Sequence, residues 1–156
     1  MISGISSCYH VAMFNPRHLN RFWQLTAYLG IYSFLGWILD TVYRSALAGT
    51  WVSESSIDTT LAPVYGFGAV AFLLVRPALN NKHPLTQWVL LALTGGVIEY
   101  VGGWVAIVFT GRRLWDYSDA FLNIHGHTDL FHIVIWGFLG LLFLKVIHPA
   151  VKRRLF

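Results

Sequence analysis

Residues 95–118, GGVIEYVGGWVAIVFTGRRLWDYS, decide how this chain folds. The stretch begins as a long apolar run broken by one carboxylate, Glu99, and ends in the aromatic and acidic turn Trp115-Asp116-Tyr117-Ser118. An ionisable group at membrane depth is costly, so it faces protein or water and by default marks a functional position. Gly95, Glu99, Gly102 and Gly103 fall at i, i+4, i+7 and i+8, which is one face of a helix. Glycines sharing a face in a membrane helix let a neighbouring helix come close. The spacing therefore predicts a tight seam with Glu99 pointing into it rather than at lipid.

The composition outside this stretch agrees. Of 156 residues, 56% are hydrophobic and 12% charged, against roughly 25% charged in soluble domains. Uncharged intervals at 22–39, 59–75 and 130–144 approach the ~20 residues that cross hydrocarbon. The interval 83–111 is a fourth, interrupted by Glu99. The expected fold is all-α and polytopic: four transmembrane helices at about 23–46, 61–79, 85–109 and 130–148 in a compact bundle. A cytoplasmic extension, 1–22, precedes the transmembrane domain at 23–148, and a basic cytoplasmic tail, 149–156, follows it. The first residues lack the basic start and continuous apolar core of a secretory signal, so they read as an extension that stays attached. The single cysteine, Cys8, cannot form an internal disulfide.

The net charge of +4 lies at span ends, where it sets topology, and does not point to a nucleic-acid partner. With the N-terminus inside, Arg17, Arg21, Arg76, Lys82, Lys145, Lys152, Arg153 and Arg154 are cytoplasmic, and Arg44, Arg112 and Arg113 are outside. That division places both termini in the cytoplasm. Asp40, Tyr65, Glu99, the Trp-Asp-Tyr-Ser turn and the histidines then converge on the outer half. On the first span Ser33, Gly36 and Asp40 recur at helical spacing, and Asp40 precedes Arg44 by four residues, the favourable order for an ion pair. Pro63 suits the first turn of the second span, and Thr128 or Asp129 suits the N-cap of the fourth.

Glu99 is the candidate proton or cation relay or ligand anchor, with Asp40, Tyr65, Asp116 and Arg112 as expected neighbours. The turn at 115–118 reads as an interfacial anchor or a re-entrant lip, with Asp116 paired to Arg112 or Arg113. His125, His127, Asp129 and His132 have the residue types of a zinc site, yet their spacing matches no familiar ligand pattern. They are weak metal candidates, and no metal or cofactor is expected. No glycine-rich phosphate loop occurs in a strand-to-helix context, so any nucleotide-driven step needs another chain.

Tyr32-Ser33-Phe34-Leu35-Gly36-Trp37, Pro63-Val64-Tyr65-Gly66, Glu99-Tyr100 with Gly103-Trp104, Trp115-Asp116-Tyr117-Ser118, Trp136-Gly137 and His148-Pro149 occur in this order. Together, over about 28–149, they make the chain resemble the small bacterial ABC-transporter permeases of the CmpB type. The resemblance implies a multi-pass protein of the bacterial cytoplasmic (inner) membrane. It assigns the recurring polar positions to Asp40, Tyr65, Glu99, Asp116, Tyr117, Ser118, Asn123 and Gly126. The chain departs from that pattern in the acidic, serine-rich segment 53–60 and in having His125 and His127 where the family tends to have Asn and Arg.

The leading expectation is a transporter permease subunit that binds a small solute or ion in an outward-facing polar pocket between helices 1, 3 and 4. Its ligand or ion pathway would use Glu99, Asp40, Tyr65, Asp116, Tyr117, Ser118 and Asn123. The expected partners are membrane lipids, together with a second copy or separate ATPase and membrane subunits. Two alternatives stand beside it. One is a membrane-embedded enzyme acting on a lipid-linked substrate, with Glu99 or Asp116 as general acid or base; the other is a structural or assembly protein without ligand.

Overall fold

The computed structural model describes residues 20–52 and 62–155. The cysteine Cys8, Arg17 and the segment 53–60 lie outside the described residues. Within them the chain is all-helical, with four apolar helices: α1 (Arg21–Ala48), α2 (Pro63–Leu79), α3 (Pro84–Thr110) and α4 (Leu130–Leu155). Among the described residues there is no strand, only a single bridge between Ile124 and Thr128. Helices α1, α3 and α4 are long and apolar enough to cross a membrane. Helix α2 is shorter, 17 residues.

Local chemistry sets the helix ends. The Asn20 side chain accepts from the Trp23 amide, and α1 stops at Gly49, which takes the left-handed conformation. Pro63 and Pro84 open α2 and α3, where a missing N–H costs nothing. Gly111, also left-handed, closes α3 and donates to the Ile107 carbonyl at 2.9 Å. Asp129 caps α4 by accepting from the His132 amide.

Helix α4 contains one irregularity. Residues Phe143–Ile147 form a π turn, and the His148 amide donates to the carbonyl of Phe143, five residues back. Pro149 follows at once; it has no N–H, and its ring crowds the carbonyl four residues earlier. The wider turn relieves that crowding before the helix resumes at His148–Leu155.

Consecutive helices pack side by side, α1 on α2, α2 on α3 and α3 on α4, and the π turn reaches back to α2. The seams are made by small residues. On α1, Gly36 lies against the Tyr65 ring and Ser33 against Gly66. Between α3 and α4, Gly95 receives Trp136, Gly96 receives Ile133 and Gly103 receives His127; a methyl group at any of the three would collide. A buried cluster including Tyr28, Tyr32, Phe72, Leu91, Trp136 and Phe143 fills the centre. The outside is apolar as well, with Phe34, Leu47, Val97, Val108 and Phe138 among the exposed side chains. Such a surface suits hydrocarbon rather than water.

The α3–α4 contacts are staggered. Because Gly96 meets Ile133 and Gly103 meets His127, α4 begins beside the middle of α3. Beyond Gly103, α3 continues to Thr110, about 10 Å further at 1.5 Å per residue. The connection 111–129 must therefore turn back down along α3 before α4 can start.

Candidate functional site

The returning connection is held by its own hydrogen bonds. Asp116 accepts from the Ser118 amide at 3.0 Å and the Ser118 hydroxyl at 2.5 Å, and Arg113 pairs with it at 3.2 Å. Those contacts, the Ser118 hydroxyl first, hold the Asp116 carboxyl below the usual carboxylate range. Arg113 also donates to the His125 carbonyl at 3.0 Å, and Trp115 Nε1 donates to the His127 carbonyl at 2.8 Å. Asn123 closes the turn, donating to the Ser118 and Ala120 carbonyls and accepting from the Gly126 amide. Gly126 has φ +70°, and a Cβ there would strike Arg113, Ser118 and Asp116, so only glycine fits. His125 beside it also has positive φ, +53°. Asparagine, aspartate and histidine are the non-glycine side chains most often found in this conformation.

This lattice brings two side chains of the connection down to Glu99. Thr128 Oγ1 donates to Glu99 Oε2 at 2.6 Å, and Tyr117 Oη donates to Oε1 at 3.3 Å. The Trp136 indole faces the same carboxylate. Glu99 is only 6% exposed, and among the described residues no lysine or arginine pairs with it. Burial, then the adjacent Glu99 charge, pushes the Tyr117 phenol up, so it is a reliable proton donor to the carboxylate.

Tyr117 is also stacked on His132, with ring centroids 4.0 Å apart and planes at 19°. His132 Nδ1 meets Asp129 Oδ2 at 2.5 Å, so Asp129 both caps α4 and fixes this imidazole. On the other side of Glu99, the Tyr65 hydroxyl lies within electrostatic reach of Glu99 and Asp40. Asp40 in turn pairs with Arg44 at 3.0 Å. A polar array thus runs Asp40, Tyr65, Glu99, Tyr117, His132, Asp129 across all four helices.

The expected pathway residues separate into two groups. Glu99, Tyr65, Tyr117 and Asp40 belong to the array, whereas Asp116, Ser118 and Asn123 use their hydrogen-bonding capacity inside the connection. Of the two arginines considered for Asp116, it is Arg113 that pairs. Sequence reasoning missed Thr128, which makes the shortest bond to Glu99; its only signal was a place beside the α4 cap. The histidines separate too. His125 bonds the Tyr100 hydroxyl at 3.0 Å, His127 is buried against Gly103 and Tyr100, and His132 takes Asp129. Burial, with Arg113 nearby, lowers the His127 pKa. Among the described residues no group of three or more His, Cys, Asp or Glu side chains is placed to hold a metal. A groove at this end is lined by Ala120, Phe121, Asp129, Leu130, Phe131, His132 and Val134, and Glu99 and Asp40 are not part of it.

The motifs that occur in order along the chain, and the way this fold uses them, have a counterpart among known families. The family model described as "Putative ABC-transporter type IV" (ABC_trans_CmpB) matches residues 27–156. The chain belongs to this family. No curated protein and no solved structure matches it. Family membership and the long apolar helices make it a transporter-related protein with membrane helices. The matched region includes the whole polar array from Asp40 to His132.

Proposed function

We propose that the protein is a permease-type subunit of a transporter, crossing the bacterial inner membrane four times with both termini in the cytoplasm, and that Glu99 takes part in moving a small solute or ion. The observation that carries this reading is the state of Glu99: a carboxylate at 6% exposure, held by two hydroxyl groups instead of a cation. A carboxylate kept for packing is ordinarily matched by a buried positive group, because an unpaired charge in the interior is expensive. Hydroxyl partners can turn to donate or accept, so this site can take up and release a proton or a small cation. The polar array gives it neighbours on both sides, Tyr65 with Asp40 and Tyr117 with His132.

The antiparallel packing gathers the start of α1, the end of α2, the start of α3 and the end of α4 at one end, where Arg21, Arg76, Lys82 and Lys152-Arg153-Arg154 lie. That basic end supports the cytoplasmic assignment. The sequence carries no G-x-x-x-x-G-K-[ST] loop, so an ATP-driven cycle requires a separate ATPase subunit.

Complementation of a deletion strain tests the reading, with medium composition profiled to find the solute whose uptake depends on the gene. Glu99→Gln, which keeps the shape and a carbonyl acceptor, should accumulate to the normal level yet lose about tenfold of the restored uptake, roughly 1.4 kcal/mol of function. Full uptake with Glu99→Gln at normal protein level would overturn it.

A further inference from the structure

The donors around Glu99 narrow what it can exchange. Thr128 Oγ1 and Tyr117 Oη each donate to one of its carboxylate oxygens, and the Trp136 indole, whose nitrogen can only donate, faces it as well. Trp136 is wedged against Gly95, where even a methyl group would collide with it. We infer that the ion Glu99 exchanges is the proton rather than a metal cation, and that the Thr128 hydroxyl accommodates it by turning from donor to acceptor. The place of this exchange in transport rests on the reading above; the chemistry of the site is open to a test separate from uptake.

A metal cation needs more oxygens than this site holds. Calcium takes about 6–8 oxygen ligands, and sodium sites at membrane depth draw on backbone carbonyls freed where a helix is interrupted. Around Glu99 the backbone is closed. Helix α3 runs unbroken from Pro84 to Thr110, so its carbonyls there are bonded within the helix, and the Thr128 carbonyl accepts from the Ile124 amide at 2.7 Å. What remains is the carboxylate itself and two hydroxyl groups whose hydrogens point at it. Magnesium keeps several of its waters, and the seam beside Glu99, closed by Trp136 on Gly95 and His127 on Gly103, is packed too closely to admit them.

A proton needs only a partner that reverses. Taken up from solvent, it forms an O–H bond at Oε2; the Thr128 hydroxyl, 2.6 Å away, gives up its bond to that oxygen, rotates and accepts from the new O–H, while Tyr117 goes on donating to Oε1. The carboxyl passes from one negative charge to none, and no heavy atom has to move. Titratable and charged groups surround it from every element: Tyr117 of the connection with Asp129 behind it, His132 of α4, Tyr65 of α2 and, beyond Tyr65, Asp40 and Arg44 of α1. The two that can be cationic are already matched, His132 by Asp129 at 2.5 Å and Arg44 by Asp40 at 3.0 Å. The charge of Glu99 is left for the proton to discharge. Solvent reaches the array at its ends, where Asp40 and His132 are partly exposed.

The chain has two glutamates, Glu54 and Glu99, so δ-¹³C-glutamate incorporated by cell-free synthesis into the full Glu54→Gln chain reports on Glu99 alone. In phosphatidylcholine nanodiscs, infrared difference spectra should show the labelled carboxylate band giving way to that of a protonated carboxyl as pH falls. Replacing choline chloride by sodium, potassium or magnesium chloride at constant ionic strength should leave the midpoint where it is. A cation bound at Glu99 would instead pull the midpoint down by about one unit for each tenfold rise in its concentration above its Kd, and that result overturns the proposal. So does a label that keeps one protonation state from about pH 4 to about pH 10. Thr128→Val should move the midpoint toward higher pH by about one unit, since the charged form loses the stronger bond, and Thr128→Ser, which keeps the hydroxyl, should restore it. An unchanged midpoint in Thr128→Val, with the helical amide bands intact, would overturn the role given to Thr128. A cation-insensitive titration with full uptake in Glu99→Gln would sink the transport reading and leave the site chemistry standing; a cation-sensitive midpoint with uptake lost in Glu99→Gln would do the reverse.

Discussion

Two of the ionisable side chains buried in this bundle, Glu99 and His148, lie in opposite halves of it, and each meets a tyrosine hydroxyl. Glu99 receives Tyr117 and Thr128; His148 meets the Tyr32 hydroxyl through Nδ1 at 2.8 Å. Their surroundings differ. His148 is enclosed by rings: Tyr28 at 4.9 Å, Phe143 at 5.7 Å and Tyr32 at 6.2 Å between centroids. It belongs to the packed core, and the aromatic contacts account for its burial. Glu99 is linked instead to further titratable groups on both sides, and the series ends at a groove. Burial alone therefore does not distinguish the two; under the proposed function it is the run of polar neighbours from Asp40 to Asp129 that sets Glu99 apart.

The strongest test of that contrast is Gly126→Ala. The added Cβ would meet Arg113, Ser118 and Asp116 in a backbone conformation that costs a non-glycine residue about 1–2 kcal/mol before any clash. The connection should open, with tryptic cleavage at Arg112 and Arg113 rising at least severalfold, while the Tyr32–His148 end keeps its protection. Equal loss of protection at both ends would mean that the two regions are one cooperative unit.

A paired substitution sharpens the comparison at intermediate size. Thr128→Val removes the 2.6 Å bond to Glu99 and should destabilise by about 1–3 kcal/mol, because a buried polar group loses a partner. It should also reduce uptake. Tyr32→Phe removes the bond to His148 and should cost about 1 kcal/mol with uptake unchanged. Thermal melts in detergent and the uptake assay together read both variants; impaired uptake in Tyr32→Phe would erase the distinction.

The smallest effect is at Asp116, which is exposed. Its folded-state pKa is depressed, so its contribution to the turn is present above the ordinary carboxylate value and is lost only as pH falls through the lowered one. In protein labelled with ¹⁵N-serine, the Ser118 amide should shift with an inflection below the ordinary carboxylate range. Asp116→Asn should flatten that titration and leave uptake at neutral pH unchanged.

Much of this was legible in the residues, and the physical reasons are specific. Apolar runs marked the helices because hydrocarbon demands length and continuity, and glycines at one helical face marked the α3–α4 seam. The turn at 115–118 announced itself through aromatic and acidic density. Which of its members would face Glu99 was not legible, because that depends on how far the connection folds back, and the stagger of α4 exists only in three dimensions. Asp116 was an expected neighbour of Glu99, yet its nearest donors are the amide and hydroxyl of Ser118, two residues away, and such local bonds form first. Thr128 was hidden for the opposite reason, since its partner is 29 residues distant. The π turn left one trace, Pro149 inside an apolar run, without saying how the helix would accommodate it.

That π turn amounts to an insertion the helix has absorbed. A five-residue turn carries one residue more than the regular repeat, so everything after Ile147 is rotated by about 100° from where an uninterrupted helix would place it. His148 owes its place among Tyr28, Tyr32 and Phe143 to that rotation. A chain one residue shorter between Phe143 and Ile147 would heal the helix, swing the imidazole away from the rings and carry Lys152, Arg153 and Arg154 around to a different side of the molecule.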